Sequence, residues 1–197
     1  MVRLLLSLLL AAACCAQNPT SVLVQTDWVR IVRAANVPGQ LSRPHVHLMN
    51  RVMIHLDRGV LRIENKETGV NRDIPFRAGE VRWDPRVGLH TSENTGKTAI
   101  RIIEVELNDT PPRPPGMEQG KPLPTPPGRF RVELENAQVR ILRTVLQANE
   151  QPTDTVFATP VIAVRLRDGE TVFREARGAA IGNDSGESGE WIFVELK

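Results

Sequence analysis

The sequence predicts an all-β protein made of two related barrels or sandwiches. Apolar and polar residues alternate in short segments, as in strands that bury one face. Turns rich in glycine and proline separate these segments at regular spacing, and residues 22–107 show no convincing helical periodicity. Residues 22–59 also align without a gap onto residues 132–169, so the same unit occurs twice.

The first half contains seven segments with this alternation. They are residues 22–24, 29–33, 41–47, 51–57, 60–64, 79–83 and 99–107. Because strand side chains repeat every second residue, Arg43, His45 and His47 are expected on one face of their strand. In the next strand, Val52 and Ile54 are expected on the opposite face from His55, which predicts a surface or interface position for that histidine.

A proline-rich break divides the two halves. Residues 111–129 hold eight of the 15 prolines and few side chains that could be buried, which predicts an extended linker. A recognition motif for a partner protein is the alternative. The expected domains are residues 22–110 and 130–197.

The second half is a shorter copy that has lost the chemistry of the first. Its VRILR at 139–143 matches VRIVR at 29–33, and the final Val-Glu-Leu matches residues 105–107. The alignment also pairs Gly59 with Gly169, and residues 76–79 with 176–178. No histidine follows His90, so a histidine metal site is possible only in the first half. At the positions equivalent to His45, His47 and Val52 the second copy has Thr155, Phe157 and Ile162, which are expected to fill the interior of the second barrel as ordinary core.

The first 16 residues have the layout of a secretory signal peptide. Arg3 precedes an apolar run at 4–13, and Ala16 offers a small residue for cleavage. We therefore expect export to the periplasm or the extracellular space. A lipoprotein is the alternative, because residues 12–14 resemble a lipobox, and lipidation at Cys14 or Cys15 would then anchor the chain to a membrane. Cleavage after Ala16 would remove both cysteines, excluding disulfides and cysteine-ligated zinc.

The charge pattern argues against a nucleic-acid partner. The formal net charge is +2, and the chain contains no run of lysine and arginine. A small-molecule ligand is the expected partner, and a homodimer is possible.

Three of the four histidines form a candidate metal site. His45 and His47 on one strand face offer two imidazole nitrogens to one ion, and His90 from another strand supplies a third. Neutral imidazoles favour Zn, Fe, Ni or Cu over Ca and Mg. A hydrogen-bonded polar patch without a metal is the alternative.

The spacing of these residues resembles the two conserved motifs of the cupin superfamily. Gly39-x5-His45-x-His47, with Gly59 further on, is similar to the first motif, and Gly79-x5-Pro85 followed by His90-x3-Asn94 is similar to the second. The resemblance implies a double-stranded β-helix, or jelly-roll barrel. The whole chain would be a bicupin with two tandem barrels packed as a pseudo-dimer, the second barrel shortened and degenerate.

Two positions depart from the family pattern. Val52 stands where the family has a glutamate ligand, and Val87 replaces a turn glycine, with Gly88 next to it. The resemblance therefore implies a site with three histidines and no carboxylate.

Other side chains could line the cavity. Arg43 is a candidate for binding a carboxylate or phosphate through its planar guanidinium, or else a solvated arginine. Trp83 is a candidate apolar wall or a core residue. Asn94 is expected to fix a turn rather than touch a ligand.

The resemblance implies two kinds of function. One is a metal-dependent enzyme, a dioxygenase or isomerase, whose catalytic acid or base cannot be identified from the sequence. The other is a non-catalytic binding module for a small anionic or sugar ligand. A purely structural role is a minor third hypothesis.

Overall fold

The chain is all-β. The computed structural model describes residues 18–109, 128–150, 157, 159–175 and 181–197, which form 14 strands and no helix. Within these ranges, the chain therefore has no helix of the length and apolarity that crossing a bilayer requires. The predicted signal peptide lies outside the described residues, as do residues 111–127 of the predicted linker.

Nine strands belong to the first half and five to the second. Those of the first half are β1 (Thr20–Gln25), β2 (Val29–Asn36), β3 (His45–His47), β4 (Asn50–His55), β5 (Gly59–Asn65), β6 (Asn71–Phe76), β7 (Val81–Asp84), β8 (Val87–Asn94) and β9 (Ile100–Leu107). Those of the second half are β10 (Arg131–Glu135), β11 (Val139–Leu146), β12 (Val161–Arg165), β13 (Thr171–Arg174) and β14 (Gly189–Leu196).

The first half folds as two sheets around a small core. One sheet has the order β1-β2-β9-β4-β7, and the other has the order β3-β8-β5-β6. Leu61 and Phe76 from the second sheet pack against Ile100 and Ile102 from the first, closing the inside of the barrel. β3 lies at the edge of its sheet and pairs only with β8, which places it at the barrel mouth.

Two strands have no counterpart among the predicted segments. β6 and β8 contain many polar and exposed residues, so their alternation of apolar and polar residues is weak. β3 is also shorter than predicted, because only residues 45–47 of the segment 41–47 form a continuous strand, with Leu41 making an isolated bridge to Glu93.

The second half repeats one sheet of the first. Its five strands have the order β10-β11-β14-β12-β13, equivalent to β1-β2-β9-β4-β7. The register breaks between Val22 and Val24 in one copy and between Val132 and Leu134 in the other, so even the irregularity is repeated. The structure confirms the predicted match of the final Val-Glu-Leu, since Val29 pairs with Leu107 and Val139 with Leu196.

One pairing in the sequence alignment is wrong. Gly169 is equivalent to Gly79 rather than to Gly59, because both lie at a positive φ in the turn that leads into the last strand of the sheet, β13 or β7. The second half runs directly from β12 through this turn into β13, without a hairpin equivalent to β5 and β6. The other predicted match, of residues 76–79 with 176–178, lies partly outside the described residues.

The two halves pack against each other through the outer faces of their five-stranded sheets, the arrangement expected of the predicted pseudo-dimer. One buried cluster contains side chains from both halves: Val29, Ile31, Val52, Ile54, Leu56, Ile103, Val105, Leu107, Val139, Ile141, Ile162, Val164, Leu166, Ile192, Val194 and Leu196. Two equivalent hydrogen bonds flank this interface core. Arg33 donates to the Gly169 carbonyl at 2.6 Å, and Arg143 donates to the Gly79 carbonyl.

This interface corrects the expected position of Val52. Val52 is fully buried in the interface core, so it faces the other half and not the inside of its own barrel. Ile162 is buried in the same cluster, whereas the sequence predicted it inside the second barrel. Phe157 does lie in the inner core of the second half, and Thr155 is outside the described residues.

Candidate metal centre

Three histidines converge at the mouth of the first barrel. β3 pairs with β8 so that His45 lies opposite His90, and His47 follows on the same face as His45. The ring centroids are 4.9 Å apart for His45 and His47, 4.3 Å for His45 and His90, and 5.2 Å for His47 and His90. One nitrogen from each ring lies within 4.8 Å of the others, so the cluster could hold a metal ion.

Backbone carbonyls fix the tautomers of two of these rings. Nδ1 of His45 lies 2.8 Å from the Arg43 carbonyl, and Nδ1 of His90 lies 2.9 Å from the Gly88 carbonyl. A carbonyl oxygen only accepts hydrogen bonds, so each Nδ1 carries the proton and donates it. Nε2 of both rings makes no such bond and is the nitrogen available to bind a metal, the usual arrangement around metal-binding histidines.

His47 has a different neighbour, the side chain of Arg51. Nη1 of Arg51 lies 2.7 Å from both ring nitrogens of His47. Burial, together with the smaller effect of the nearby Arg51 charge, lowers the pKa of His47 from 6.5 to about 3. His47 is therefore neutral at any ordinary pH. Burial is also the main cause that lowers the pKa of His90.

Arg51 is a buried cation held by two carboxylates. It is 5% exposed, and it makes ion pairs with Asp84 and, at 3.0 Å, with Glu104. Its Nε is buried without a hydrogen-bond partner. The guanidinium is thus fixed between the histidine cluster and the acidic side chains of β7 and β9.

Two glutamates of β9 extend the cluster into the barrel. Glu104 and Glu106 alternate with residues of the interface core, so both point to the inside. Each offers an oxygen within 4.8 Å of a His47 nitrogen and of the other glutamate. Burial raises the pKa of Glu104, although the charge of Arg51 opposes this shift. Glu106 is neutralised by Arg30 at 2.6 Å.

Four residues singled out in the sequence lie outside the cluster. The Arg43 side chain is exposed, and only its carbonyl contributes, through His45. Trp83 packs against the interface core, on the opposite face of β7 from Asp84. Asn94 is fully buried and donates to the carbonyls of Asn36 and Thr98 at 2.8 Å, so it holds a turn.

The fourth, His55, was expected at the surface or an interface but is buried within the first half. It stacks on Phe76 with 4.1 Å between ring centroids, at 3% exposure. The prediction fails because the face of β4 opposite Val52 lines the barrel, where the alternation alone suggested solvent.

Sequence reasoning also missed Arg51, Asp84 and Glu104. The signal was present in β9, where two glutamates share the strand face of Ile100 and Ile102. Charged side chains on an otherwise apolar face indicate that this face lines a polar cavity or pairs with buried cations.

The donor set fits a divalent transition metal. Two ligand atoms each about 2.1 Å from one ion lie at most about 4.2 Å apart, so small ring rotations would bring the histidines into range. Two of the three rings are already oriented to bind through Nε2, and the third is neutral. His45, His47 and His90 would hold the ion, leaving further coordination positions open to water or a ligand.

The second half has an apolar core in place of this cluster. Phe157 takes the position of His47 and stacks on Phe193, the equivalent of Glu104, with centroids 5.4 Å apart. Val161 replaces Arg51. Only the turn is kept, since Asn183 is buried and donates to the carbonyls of Gln147 and Glu187, as Asn94 does in the first half.

Comparison with known proteins shows similarity of structure at low sequence identity. No protein-family model and no curated protein sequence matches the chain significantly. AerE from Microcystis aeruginosa covers 90% of this chain and 91% of its own, with 9% identity and a TM-score of 0.52. A cupin 2 conserved barrel domain protein from Leptotrichia buccalis covers 92% of this chain and 90% of its own, with 11% identity and a TM-score of 0.46.

A cupin domain from Bordetella pertussis Tohama I matches one half of the chain. It covers 47% of this chain and 94% of its own length, with 21% identity and a TM-score of 0.44. The strand order and the two histidine-bearing motifs on β3 and β8 show that this chain has the cupin fold, and AerE shares its overall fold.

Proposed function

We propose that this chain binds a divalent transition metal through His45, His47 and His90, and that the ion binds a small molecule at its open positions. The observation that carries the proposal is the convergence of three imidazoles at the barrel mouth. Two of them are already oriented by backbone carbonyls for binding through Nε2.

The ligand chemistry favours Zn, Fe, Ni or Cu. Imidazole nitrogen is a good donor for these ions and a poor one for Ca or Mg. Three neutral ligands leave the charge of the ion uncancelled, so it would act as a strong Lewis acid toward an anionic or carbonyl ligand.

The enzymatic form of this proposal is a small-molecule dioxygenase or isomerase. The chain's own contribution is to hold the three imidazoles and to place Arg51, Asp84 and Glu104 beside them.

A non-catalytic binding module for a small anionic ligand is the second candidate. Valine at position 52 instead of a carboxylate ligand, and the apolar core of the second half, favour it. A sugar ligand belongs to the same candidate class.

Metal analysis after reconstitution tests the proposal. The purified protein is stripped with a chelator, offered each of the four ions, desalted and measured for bound metal. We expect about one ion per chain in the wild type and almost none in His47→Ala. His55→Gln is the matched control, because His55 is a buried histidine outside the cluster. Equal metal content in all three proteins would contradict the proposal.

Oxygen uptake then separates the two candidates. The metal-loaded wild type is mixed with a panel of small carbonyl and phenolic compounds, with His47→Ala as the blank. Uptake that depends on His47, or conversion of a compound without uptake, indicates an enzyme. Binding of a compound without any conversion indicates a binding module.

We also propose that the chain is exported. The support is the sequence of residues 1–16 alone. N-terminal sequencing of the mature protein would give Gln17 as the first residue, whereas a lipid-modified Cys14 or Cys15 would indicate a lipoprotein.

A further inference from the structure

We propose that Glu104, from β9, is a fourth metal ligand of this site, and that metal binding exchanges its ion pair with Arg51 for a bond to the ion. The inference rests on the proposed three-histidine site. The carboxylate ligand would then come from β9 and not from β4, where the sequence resemblance places it.

The position of Glu104 is the first support. Its carboxylate lies on the inner face of β9, with an oxygen within 4.8 Å of a ring nitrogen of His47. β9 is hydrogen-bonded to β4, and Glu104 pairs with Met53 across the two strands. Val52, the position suggested by sequence, points away from the cavity into the interface core.

The guanidinium of Arg51 already places a positive charge between His47 and Glu104. Its Nη1 contacts the ring nitrogens of His47 at 2.7 Å and Oε2 of Glu104 at 3.0 Å. A metal ion bound by His47 and Glu104 would occupy nearly the same space. Two cations cannot share it, because their repulsion in a half-buried site is large.

Asp84 would keep Arg51 in an ion pair when Glu104 binds the metal ion. Asp84 pairs with Nη2 rather than Nη1, and its side chain is 38% exposed, so the guanidinium can turn outward without losing this partner. The exchange also balances charge, because one carboxylate halves the charge of a divalent ion held by three neutral rings.

Glu106 provides the matched control for the substitution of Glu104. Its carboxylate also lies within 4.8 Å of a His47 nitrogen, but it is paired with Arg30 at 2.6 Å and not with Arg51. Glu106→Gln therefore removes an equal charge at a similar distance without removing the proposed ligand.

Titration of the metal-free protein with Co²⁺ tests the inference, with affinity and visible absorption as two independent readouts. We expect Glu104→Gln to weaken Co²⁺ binding by at least about tenfold and to change the d–d absorption bands. Glu106→Gln should keep the wild-type bands and most of the affinity. Arg51→Met should bind Co²⁺ more tightly, by about tenfold, because the competing cation is gone.

The outcomes separate this inference from the proposed function. Wild-type bands and affinity in Glu104→Gln, or equal changes in Glu104→Gln and Glu106→Gln, would overturn the role of Glu104 and leave the three-histidine site standing. Absence of Co²⁺ binding by the wild type would overturn both. Circular dichroism of each variant checks that it is folded, and Glu104→Gln, which keeps the shape of the side chain, carries the decision if Arg51→Met does not fold.

Discussion

At the scale of single residues, two of the three histidines depend on no other side chain for their orientation. His45 and His90 donate to the backbone carbonyls of Arg43 and Gly88, which are fixed by the strands and turns around them. Substitution of the exposed Arg43 side chain should therefore leave the ligand atoms in place. His47 is the exception, because its neighbour is the charged side chain of Arg51.

Val52 lies on the face of β4 that points away from the metal site, so its side chain cannot reach the ion. It is fully buried in the interface core, so Val52→Glu would not restore a ligand. We expect this substitution to destabilise the fold by more than about 3 kcal/mol, because it buries an unpaired carboxylate.

Urea unfolding measures the change in the free energy of unfolding that Val52→Glu causes. Leu48→Glu is the control, since Leu48 is 76% exposed and should change stability by less than about 0.5 kcal/mol. A stable Val52→Glu protein with raised metal affinity would show that position 52 faces the site after all.

His55 makes stability depend on pH. Burial is the main cause that lowers its pKa below 6.5 in the folded chain. Below about pH 6.5 the unfolded chain then binds more protons than the folded chain, so stability falls as the pH falls. Above that pH His55 contributes no pH dependence, and below its folded pKa the loss levels off.

We therefore expect His55→Gln to lose less stability than the wild type between pH 7 and pH 5. The difference in slope should approach at most about 1.4 kcal/mol per pH unit. Urea unfolding at both pH values measures it. Equal slopes in the two proteins would mean that His55 does not resist protonation in the fold.

At the scale of elements, the start of β5 packs closely against β9. A Cβ placed on Gly59 would lie 2.4 Å from Cδ1 of Ile100, which is fully buried. The glycine of the first motif is therefore needed for a close approach of the two sheets and not for an unusual φ.

Gly59→Ala should cost about 1–3 kcal/mol, because it overpacks this contact. Ile100→Val in the same chain should recover part of the loss by removing the clashing methyl group. Gly186→Ala is the control, since an added Cβ there meets nothing within 4 Å. Thermal unfolding compares the three proteins, and a cost in Gly59→Ala that Ile100→Val does not reduce would contradict the packing argument.

The elements that the sequence predicts best are those with one apolar face. β2, β4 and β9 each place alternate apolar residues in the interface core. β8 was missed because it carries His90 and Asn94 among exposed residues, so its pattern reflects the site and not a core. Arg51 and Glu104 were missed because single-sequence patterning cannot tell an inner face from solvent.

At the scale of the whole molecule, the interface core makes the two halves one folding unit. Ile162 and Ile192 of the second half pack in the same cluster as Val52 and Ile54 of the first. Ile162→Ala, far from the histidines in sequence, should destabilise the whole protein by about 2–5 kcal/mol.

Unfolding should then be a single transition. Tryptophans report on both halves, because Trp28 and Trp83 pack against the interface core and Trp191 is buried in the second half. We expect tryptophan fluorescence and far-UV circular dichroism to give the same urea midpoint, shifted equally by Ile162→Ala. Two separate midpoints would show that the halves fold independently.

The most direct test of the metal site is a crystal structure of the Co²⁺-loaded protein with anomalous scattering at the cobalt edge. We expect one strong peak per chain at the mouth of the first barrel, about 2.1 Å from a ring nitrogen of His45, His47 and His90. Absence of a peak there, or a peak whose ligands do not include these three histidines, would contradict the proposed metal site.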